Sequence, residues 1–209
     1  MKRTTSIQSR SAIFINELKD IFIQNGGIMK TCQLNNKGLS SRQIKKLLEE
    51  NTIQRIKHGY YILAETFPRE EVVISRLFLE AVIFLESALV YYHYTDRIPY
   101  SWQIAVEKHA NPDKYNFDYL TVTPYFIKKK YLDLGIKEIT IDNVKVKIYN
   151  RDKTICDVLR YENKIDHEVF VNSIKRYIAD DRKNIRFLME YAKILNVVKK
   201  VQAYIGVWI

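Results

Sequence analysis

The sequence contains few of the residues from which cross-links and metal sites are built. Its 209 residues include two cysteines, Cys32 and Cys156, which lie far apart with no Cys-x-x-Cys spacing and no clustered histidines. A structural zinc site needs four such ligands, and a disulfide framework needs several cysteine pairs. We therefore expect no metal and no cofactor, and we interpret both cysteines as reduced, buried thiols of a cytoplasmic protein.

Long uncharged hydrophobic runs are missing as well. The most apolar stretch, VVISRLFLEAVIFLESALVYY, is interrupted by Arg76, Glu80 and Glu86. A membrane-spanning helix needs about 20 mostly apolar residues, and a secretory signal needs an uncharged apolar core. The basic N-terminus instead leads into a charged helical segment, so we expect neither feature and no membrane partner.

The common catalytic signatures are also missing. The sequence contains no glycine-rich phosphate loop, no His-Glu-x-x-His helix and no Gly-x-Ser-x-Gly elbow. A metal-dependent nuclease would place Pro-Asp before Asp/Glu-x-Lys on a strand. Pro112-Asp113 is present, but Glu162-Asn163-Lys164 and Asp181-Arg182-Lys183 fall in or between predicted helices. We predict that the chain is not an enzyme, and a nucleic-acid-processing enzyme such as a nuclease stays the alternative.

The sequence is, however, rich in positive charge. Its net charge is +10 and its pI is about 9.4, so its field attracts polyanions before any specific contact forms. With 47% hydrophobic residues it can also bury an ordinary globular core.

The N-terminal residues predict a winged helix-turn-helix, in the order helix, short strand, helix, helix and hairpin. Residues 7–25 have the period of a helix that ends at Gly26-Gly27, GIMKT is extended, and a brief helix over CQLNNK ends at Gly38. Ser40-x-x-Gln43 is a capping box that begins the third helix. The strands Ile53 to Lys57 and Tyr60 to Leu63 follow, joined by a turn at His58-Gly59.

Basic side chains converge on this module. Ile44, Leu47 and Leu48 share one face of the capped helix, which leaves the cationic residues on the exposed face. The converging residues are Arg42, Lys45 and Lys46 with Gln43 at one flank, Arg55, Lys57 and His58 on the hairpin, and Lys2, Arg3 and Arg10 as an arm. Lys128, Lys129 and Lys130 form an extra basic patch later in the chain. The sequence therefore predicts nucleic-acid binding, with the helix in a groove and the hairpin on the backbone beside it.

The segment AETFPREE marks the predicted domain boundary, with domains at residues 1–66 and 67–209. Beyond it we expect a helix to about Ala81, another over LESALVYYHYTD, and strands at QIAVEK, YLTVT, KEITI and VKVKIY. Asp142-Asn143 forms a tight hairpin turn between the last two strands, and the helical period returns from about residue 152. The predicted fold class is α+β: a winged helix-turn-helix domain, then an α+β domain with a small sheet and a helical C-terminal third.

Several segments, taken in order, resemble the AbiEi antitoxins of AbiE abortive-infection toxin-antitoxin systems. They are IQRIKHGYYIL, LESALVYYHYTDRIPYSWQIAVEKHANP, IYNRDKTICDVLRYENKIDHEVFVNSIKRYI and FLMEYAKILNVVKKVQAYI. The resemblance covers nearly the whole chain. It implies a type IV antitoxin whose winged helix binds inverted repeats in operator DNA cooperatively and represses its own operon. It also implies a second domain that counteracts a nucleotidyltransferase toxin without a stable complex.

By position, the resemblance assigns site residues as well. It gives DNA reading to Ser41, Arg42, Gln43, Lys45 and Lys46, and backbone contacts to Arg55, Lys57 and His58. The family-like segment Arg151-x-x-Thr154-x-x-Asp157 resembles no catalytic constellation, so we interpret it as structural. A transcription regulator of unlinked genes stays a second alternative.

Overall fold

The computed structural model describes residues 16–208. These residues divide into two compact units. Within the described range, unit 1 comprises residues 16–79, 117–119 and 140–145, and unit 2 comprises residues 80–116, 120–139 and 146–208. Unit 1 extends past the division predicted after residue 66, and that division stays a prediction.

Unit 1 contains the winged helix-turn-helix and one further helix. Residues 16–24 form helix α1. The following elements are β1 Ile28–Lys30, α2 Thr31–Asn36, α3 Ser41–Glu49, β2 Ile53–Lys57, β3 Tyr60–Leu63 and α4 Glu70–Leu77. Each helix and each strand predicted for this module within the described residues is therefore present.

The strands of unit 1 form an antiparallel sheet in the order β1-β3-β2. Met29 lies opposite Tyr61, and both belong to the hydrophobic core that α1, α2 and α3 complete. Ile28 lies opposite Ile62 on the other face, because neighbouring residues of a strand point to opposite faces. Both isoleucines are buried as well. The wing is the hairpin formed by β2 and β3, and the sheet that contains it is thus buried on both faces.

The turn after α1 requires glycine. Gly26 has a φ of +72°, and a Cβ added there would lie 2.4 Å from Val144 Cγ2 and 3.2 Å from Val72 Cγ1. Gly38 follows α2 with a φ of +88°, but a Cβ there would have no neighbour within 4 Å. The first glycine therefore allows close packing, whereas the second serves only the backbone conformation.

Unit 2 contains most of a second sheet and the helical part of the chain. Its first elements are β4 Val82–Ile83, α5 Leu85–Tyr91, β5 Trp102–Glu107, β6 Val122–Ile127, α6 Lys129–Leu132, β7 Ile136–Ile141 and β8 Val144–Tyr149. Short 3-10 turns span Pro112–Tyr115, Glu162–Lys164 and Gly206–Trp208, and the last helices are α7 Arg151–Arg160, α8 His167–Ala179, α9 Ile185–Leu195 and α10 Val198–Tyr204.

The five strands of the second sheet have the order β6-β5-β4-β8-β7. β4 is antiparallel to β5 and parallel to β8, and β5 is parallel to β6. The β7-β8 turn at Asp142 and Asn143 has φ values of 47° and 60°, as a tight hairpin turn requires.

Helix α7 lies at the centre of the helical part. Every residue from 152 to 159 is buried, and the helix contacts α8, α9 and α10. Arg151 Nε donates to Asp180 Oδ2, and Thr154 Oγ1 donates to the Asn150 carbonyl. The segment that opens α7 is thus held by contacts within the fold.

The structure confirms the α+β fold class and corrects four details. The helix expected over LESALVYYHYTD ends at Tyr91. The helix expected to reach Ala81 ends at Leu77, and Val82–Ile83 is a short strand instead. The strand expected over YLTVT begins at Val122 and continues to Ile127. Cys156 is buried as expected, but Cys32 is exposed, because it lies on the outer side of the short α2 helix.

Candidate DNA-binding surface

The N-terminus of α3 is held by the predicted capping box. Gln43 N donates to Ser40 Oγ at 3.4 Å, and the amide oxygen of Gln43 accepts from Ser40 N at 2.8 Å and from Ser40 Oγ at 2.7 Å. These contacts satisfy backbone donors of the first turn. They also occupy the Gln43 amide oxygen, so its amide nitrogen is the group left to donate to a base.

The two sides of α3 differ sharply in burial. Ile44 and Leu47 are 4% and 6% exposed and belong to the core of unit 1. The predicted DNA-reading residues of this helix are all exposed: Ser41, Arg42, Gln43, Lys45 and Lys46. The apolar face thus fixes which side chains point outward.

Two of the exposed cations form ion pairs along the helix. Lys45 Nζ lies 3.8 Å from Glu49 Oε1, and Lys46 Nζ lies 3.4 Å from Glu50 Oε1. Pairs of this kind at exposed i,i+4 positions contribute about 0.3–0.5 kcal/mol each. A phosphate can therefore replace either carboxylate at a small cost.

The wing is tied to the helix-turn-helix at its tip. Gly59 has a φ of +78°, and its carbonyl accepts hydrogen bonds from Thr31 N at 2.9 Å and from Thr31 Oγ1 at 3.4 Å. Thr31 is the first residue of α2. Arg55 and His58 are exposed on this anchored hairpin. The backbone that carries their side chains is therefore held in a fixed position.

Lys57 differs from the other predicted wing residues. The pairing of β2 with β3 is irregular between Arg55 and Lys57, and Lys57 is half-buried. Its Nζ lies 4.8 Å from the ring centre of Phe78 and 5.2 Å from that of Phe117. An ammonium over aromatic faces is stabilised there, so these rings compete with a phosphate for Lys57, and its contact with DNA stays a prediction.

Two further cations near this surface were not singled out from the sequence. Lys30 pairs with Tyr60 in the sheet, and its Nζ lies 5.4 Å from the Tyr60 ring centre, close to the wing turn. Lys37 is exposed in the turn between α2 and α3. The signal that could have found them is their position at the two ends of α2, since the first helix of the motif crosses the DNA backbone.

The structure says less about the remaining basic residues that were predicted to contact DNA. Arg3 and Arg10 lie outside the described residues. Lys128, Lys129 and Lys130 are exposed at the start of α6 in unit 2, where Lys129 pairs with Asp133 at 3.0 Å. Their contribution to a DNA surface stays a prediction.

Two kinds of feature are missing from residues 16–208. No group of three or more His, Cys, Asp or Glu side chains within this range is arranged to hold a metal ion. In the same range, no helix has both the length and the apolar character needed to cross a membrane.

Comparison with known proteins connects this surface to a family. Residues 16–64 match a family model described as "Transcriptional regulator, AbiEi antitoxin", which confirms the predicted resemblance over this range. The matched range runs from α1 to the end of the wing and includes the whole described helix-turn-helix.

A solved structure resembles a larger part of the chain. The crystal structure of the RV2827C protein from Mycobacterium tuberculosis matches with a TM-score of 0.58 and 13% sequence identity. The match covers 79% of this chain and 66% of that protein, so the chain spans just under two thirds of its length. At this identity the likeness shows the fold alone. No curated protein sequence matches significantly.

Proposed function

We propose, from the match of residues 16–64 to the family model of AbiEi antitoxin transcriptional regulators, that this chain is a cytoplasmic antitoxin that represses its own operon. In this proposal α3 enters the major groove of operator DNA while the wing contacts the adjacent backbone. Unit 2 counteracts a nucleotidyltransferase toxin without forming a stable complex with it.

The observation that carries the proposal is the outward face of α3. Its cations lie opposite the buried Ile44 and Leu47, and the anchored hairpin lies next in the chain. Arg42 is suited to a bidentate contact with guanine, because its planar fork matches the O6 and N7 acceptors. Lys45 and Lys46 carry point charges that suit phosphates. Arg55 and His58 on the wing supply further backbone contacts, and Lys30 and Lys37 extend them.

The size of the module suggests how it reads an operator. A helix of nine residues, Ser41–Glu49, is about 13 Å long and contacts only one half-site. Inverted repeats would therefore hold two copies related by a two-fold axis, and contacts between the copies would make binding cooperative.

The proposal is tested with the full-length protein and the DNA upstream of its own coding sequence. We expect saturable binding to this duplex and much weaker binding to a scrambled duplex, and we expect expression of the protein to lower transcription from that promoter. If the adjacent gene encodes a nucleotidyltransferase toxin, cells that express it should survive when the full chain is present. A chain truncated after residue 79 should fail to rescue them.

Two outcomes would favour the alternatives. Cleavage of DNA that depends on a divalent metal would indicate a nuclease. Specific binding to unlinked promoters but not to its own upstream region would indicate a regulator of other genes.

A further inference from the structure

The helical part of unit 2 carries an open groove of about 480 Å³ that the proposed function does not use. Its apolar walls come from α8 and from the last turns of the described chain. The apolar lining residues are Phe170, Val171, Ile174, Ile178, Tyr204 and Trp208.

The α8 wall has the period of a helix-binding seam. Val171, Ile174 and Ile178 lie three and four residues apart, so they form one row along the helix surface. From Phe170 to Ile178 this row is about 12 Å long at 1.5 Å per residue, which spans just over two turns. An extended apolar row of this length suits an amphipathic helix laid into the groove.

The groove is not filled by its own side chains. Val171 and Ile178 are only half-buried, and Tyr204 and Trp208 are 41% and 67% exposed. Large apolar residues that gather around a concave surface, with polar residues at its edge, mark interaction sites more often than scattered exposed residues do. Trp and Tyr are also the residue types enriched among the strongest contacts of protein interfaces.

The charges at the edge define the partner. Glu162 is already engaged, because its Oε2 lies 2.8 Å from Lys200 Nζ and its Oε1 accepts the Tyr204 hydroxyl at 2.5 Å. The hydrogen bond from Lys200 is the largest effect that holds the pKa of Glu162 below its usual value. Lys175, by contrast, is exposed and has no ion-pair partner among residues 16–208. Among the described residues, the unpaired charge at the edge of the groove, which a partner could contact, is therefore positive.

We propose that this groove binds an amphipathic helix of a partner protein, with apolar residues in the α8 seam and an Asp or Glu facing Lys175. In the absence of DNA, whose phosphates would neutralise the charge, a second copy of this chain is the less favourable occupant, because a net charge of +10 makes two copies repel each other. The proposal does not depend on DNA binding by unit 1.

Fluorescently labelled peptides of 18 residues test this proposal by anisotropy with the full-length protein. The acidic probe has leucines at helical spacing flanked by glutamates, and the basic probe has lysines in their place. We expect the acidic probe to bind saturably. Trp208→Ala and Val171→Asp should each weaken it by at least about tenfold, because one removes an exposed anchor and the other puts a charge in the apolar seam. Trp208 is mostly exposed, so its replacement leaves the fold intact.

The charge assignment has a matched control. Lys175→Glu should weaken the acidic probe by up to about fivefold and strengthen the basic probe. Lys193→Glu, an equal charge change at an exposed site on α9 outside the groove, should have a much smaller effect. Equal effects of the two variants, or unchanged binding by Trp208→Ala, would overturn the proposal. Sedimentation that shows a concentration-dependent dimer lost in Val171→Asp would assign the groove to a second copy and would also overturn it.

Discussion

Removing the negative member of the buried ion pair in α7 should destabilise unit 2. Lys153 Nζ lies 2.5 Å from Asp157 Oδ2, and both side chains are 1% exposed. The ammonium also lies 4.0 Å from the ring centre of Tyr149. Asp157→Asn keeps the shape of the side chain but leaves the ammonium buried without a counter-charge.

The expected cost is about 3 kcal/mol in the free energy of unfolding. Breaking a buried pair by removing one partner costs about 3–5 kcal/mol, because the remaining charge is uncompensated. The Tyr149 ring offsets part of this loss, since a desolvated cation–π contact contributes about 2 kcal/mol. The loss in the free energy of unfolding should therefore lie at the lower end of the range of about 3–5 kcal/mol.

Lys153→Met should show a distinct dependence on pH. Burial, the largest effect, raises the pKa of Asp157, and the neighbouring Lys153 opposes that rise. Without the lysine, the folded chain binds a proton at Asp157 that the unfolded chain releases near pH 3.9. Stability of this variant should therefore fall by about 1.4 kcal/mol per pH unit from pH 4 upward, and the fall should continue to a higher pH than in wild type, whose lysine limits the rise in the pKa of Asp157. The variant should be closest to wild type near pH 4.

Urea unfolding followed by circular dichroism between pH 4 and pH 8 measures both effects. Lys175→Met is the matched control, because it makes the same change at an exposed site of α8 and should stay within about 0.5 kcal/mol of wild type. The double variant that combines Lys153→Met with Asp157→Leu should recover much of the loss, since a well-packed apolar pair is often neutral. A cost for Asp157→Asn equal to that of the control would refute a desolvated ion pair.

Three substitutions in unit 1 have outcomes that follow from the backbone. Gly26→Ala should cost about 2–5 kcal/mol, because it adds overpacking against Val144 to the strain of a positive φ. Gly38→Ala, whose Cβ meets nothing, should cost only about 1–2 kcal/mol, and equal losses in urea unfolding would contradict the packing at Gly26. Ser40→Ala should cost about 1 kcal/mol by removing the α3 cap, and an unchanged unfolding midpoint would show that the cap is dispensable.

Sequence patterns predicted those structural elements that depend on residues close together in the sequence. The capping box at Ser40 and the turn at His58-Gly59 each depend on residues within one turn of the chain. The two-residue strand Val82–Ile83 has no such signal, because a short apolar run shows no period and its pairing with β5 and β8 decides its structure.

The same distinction between local and distant signals applies to the candidate DNA-binding surface. The outward direction of Arg42, Lys45 and Lys46 was predictable from the apolar period of α3. The position of Lys57 was not, because the Phe78 and Phe117 rings that hold it lie far along the chain. The burial of Lys153 was hidden for the same reason: its Asp157 partner is local, but the elements that exclude water are distant in sequence.

The most direct test of the central claim is a titration of four variants against the upstream duplex and a scrambled duplex at several salt concentrations. Lys45→Ala and Lys46→Ala should weaken both duplexes alike and reduce the slope of log affinity against log salt by about 0.9 for each lost phosphate contact. Arg42→Ala should cost about 1–3 kcal/mol on the upstream duplex and much less on the scrambled one. Lys193→Ala, on α9 of unit 2, is the control and should bind as wild type does. Wild-type affinity and slope in all three α3 variants, with unchanged circular dichroism, would contradict the assignment of α3 to the DNA-binding surface.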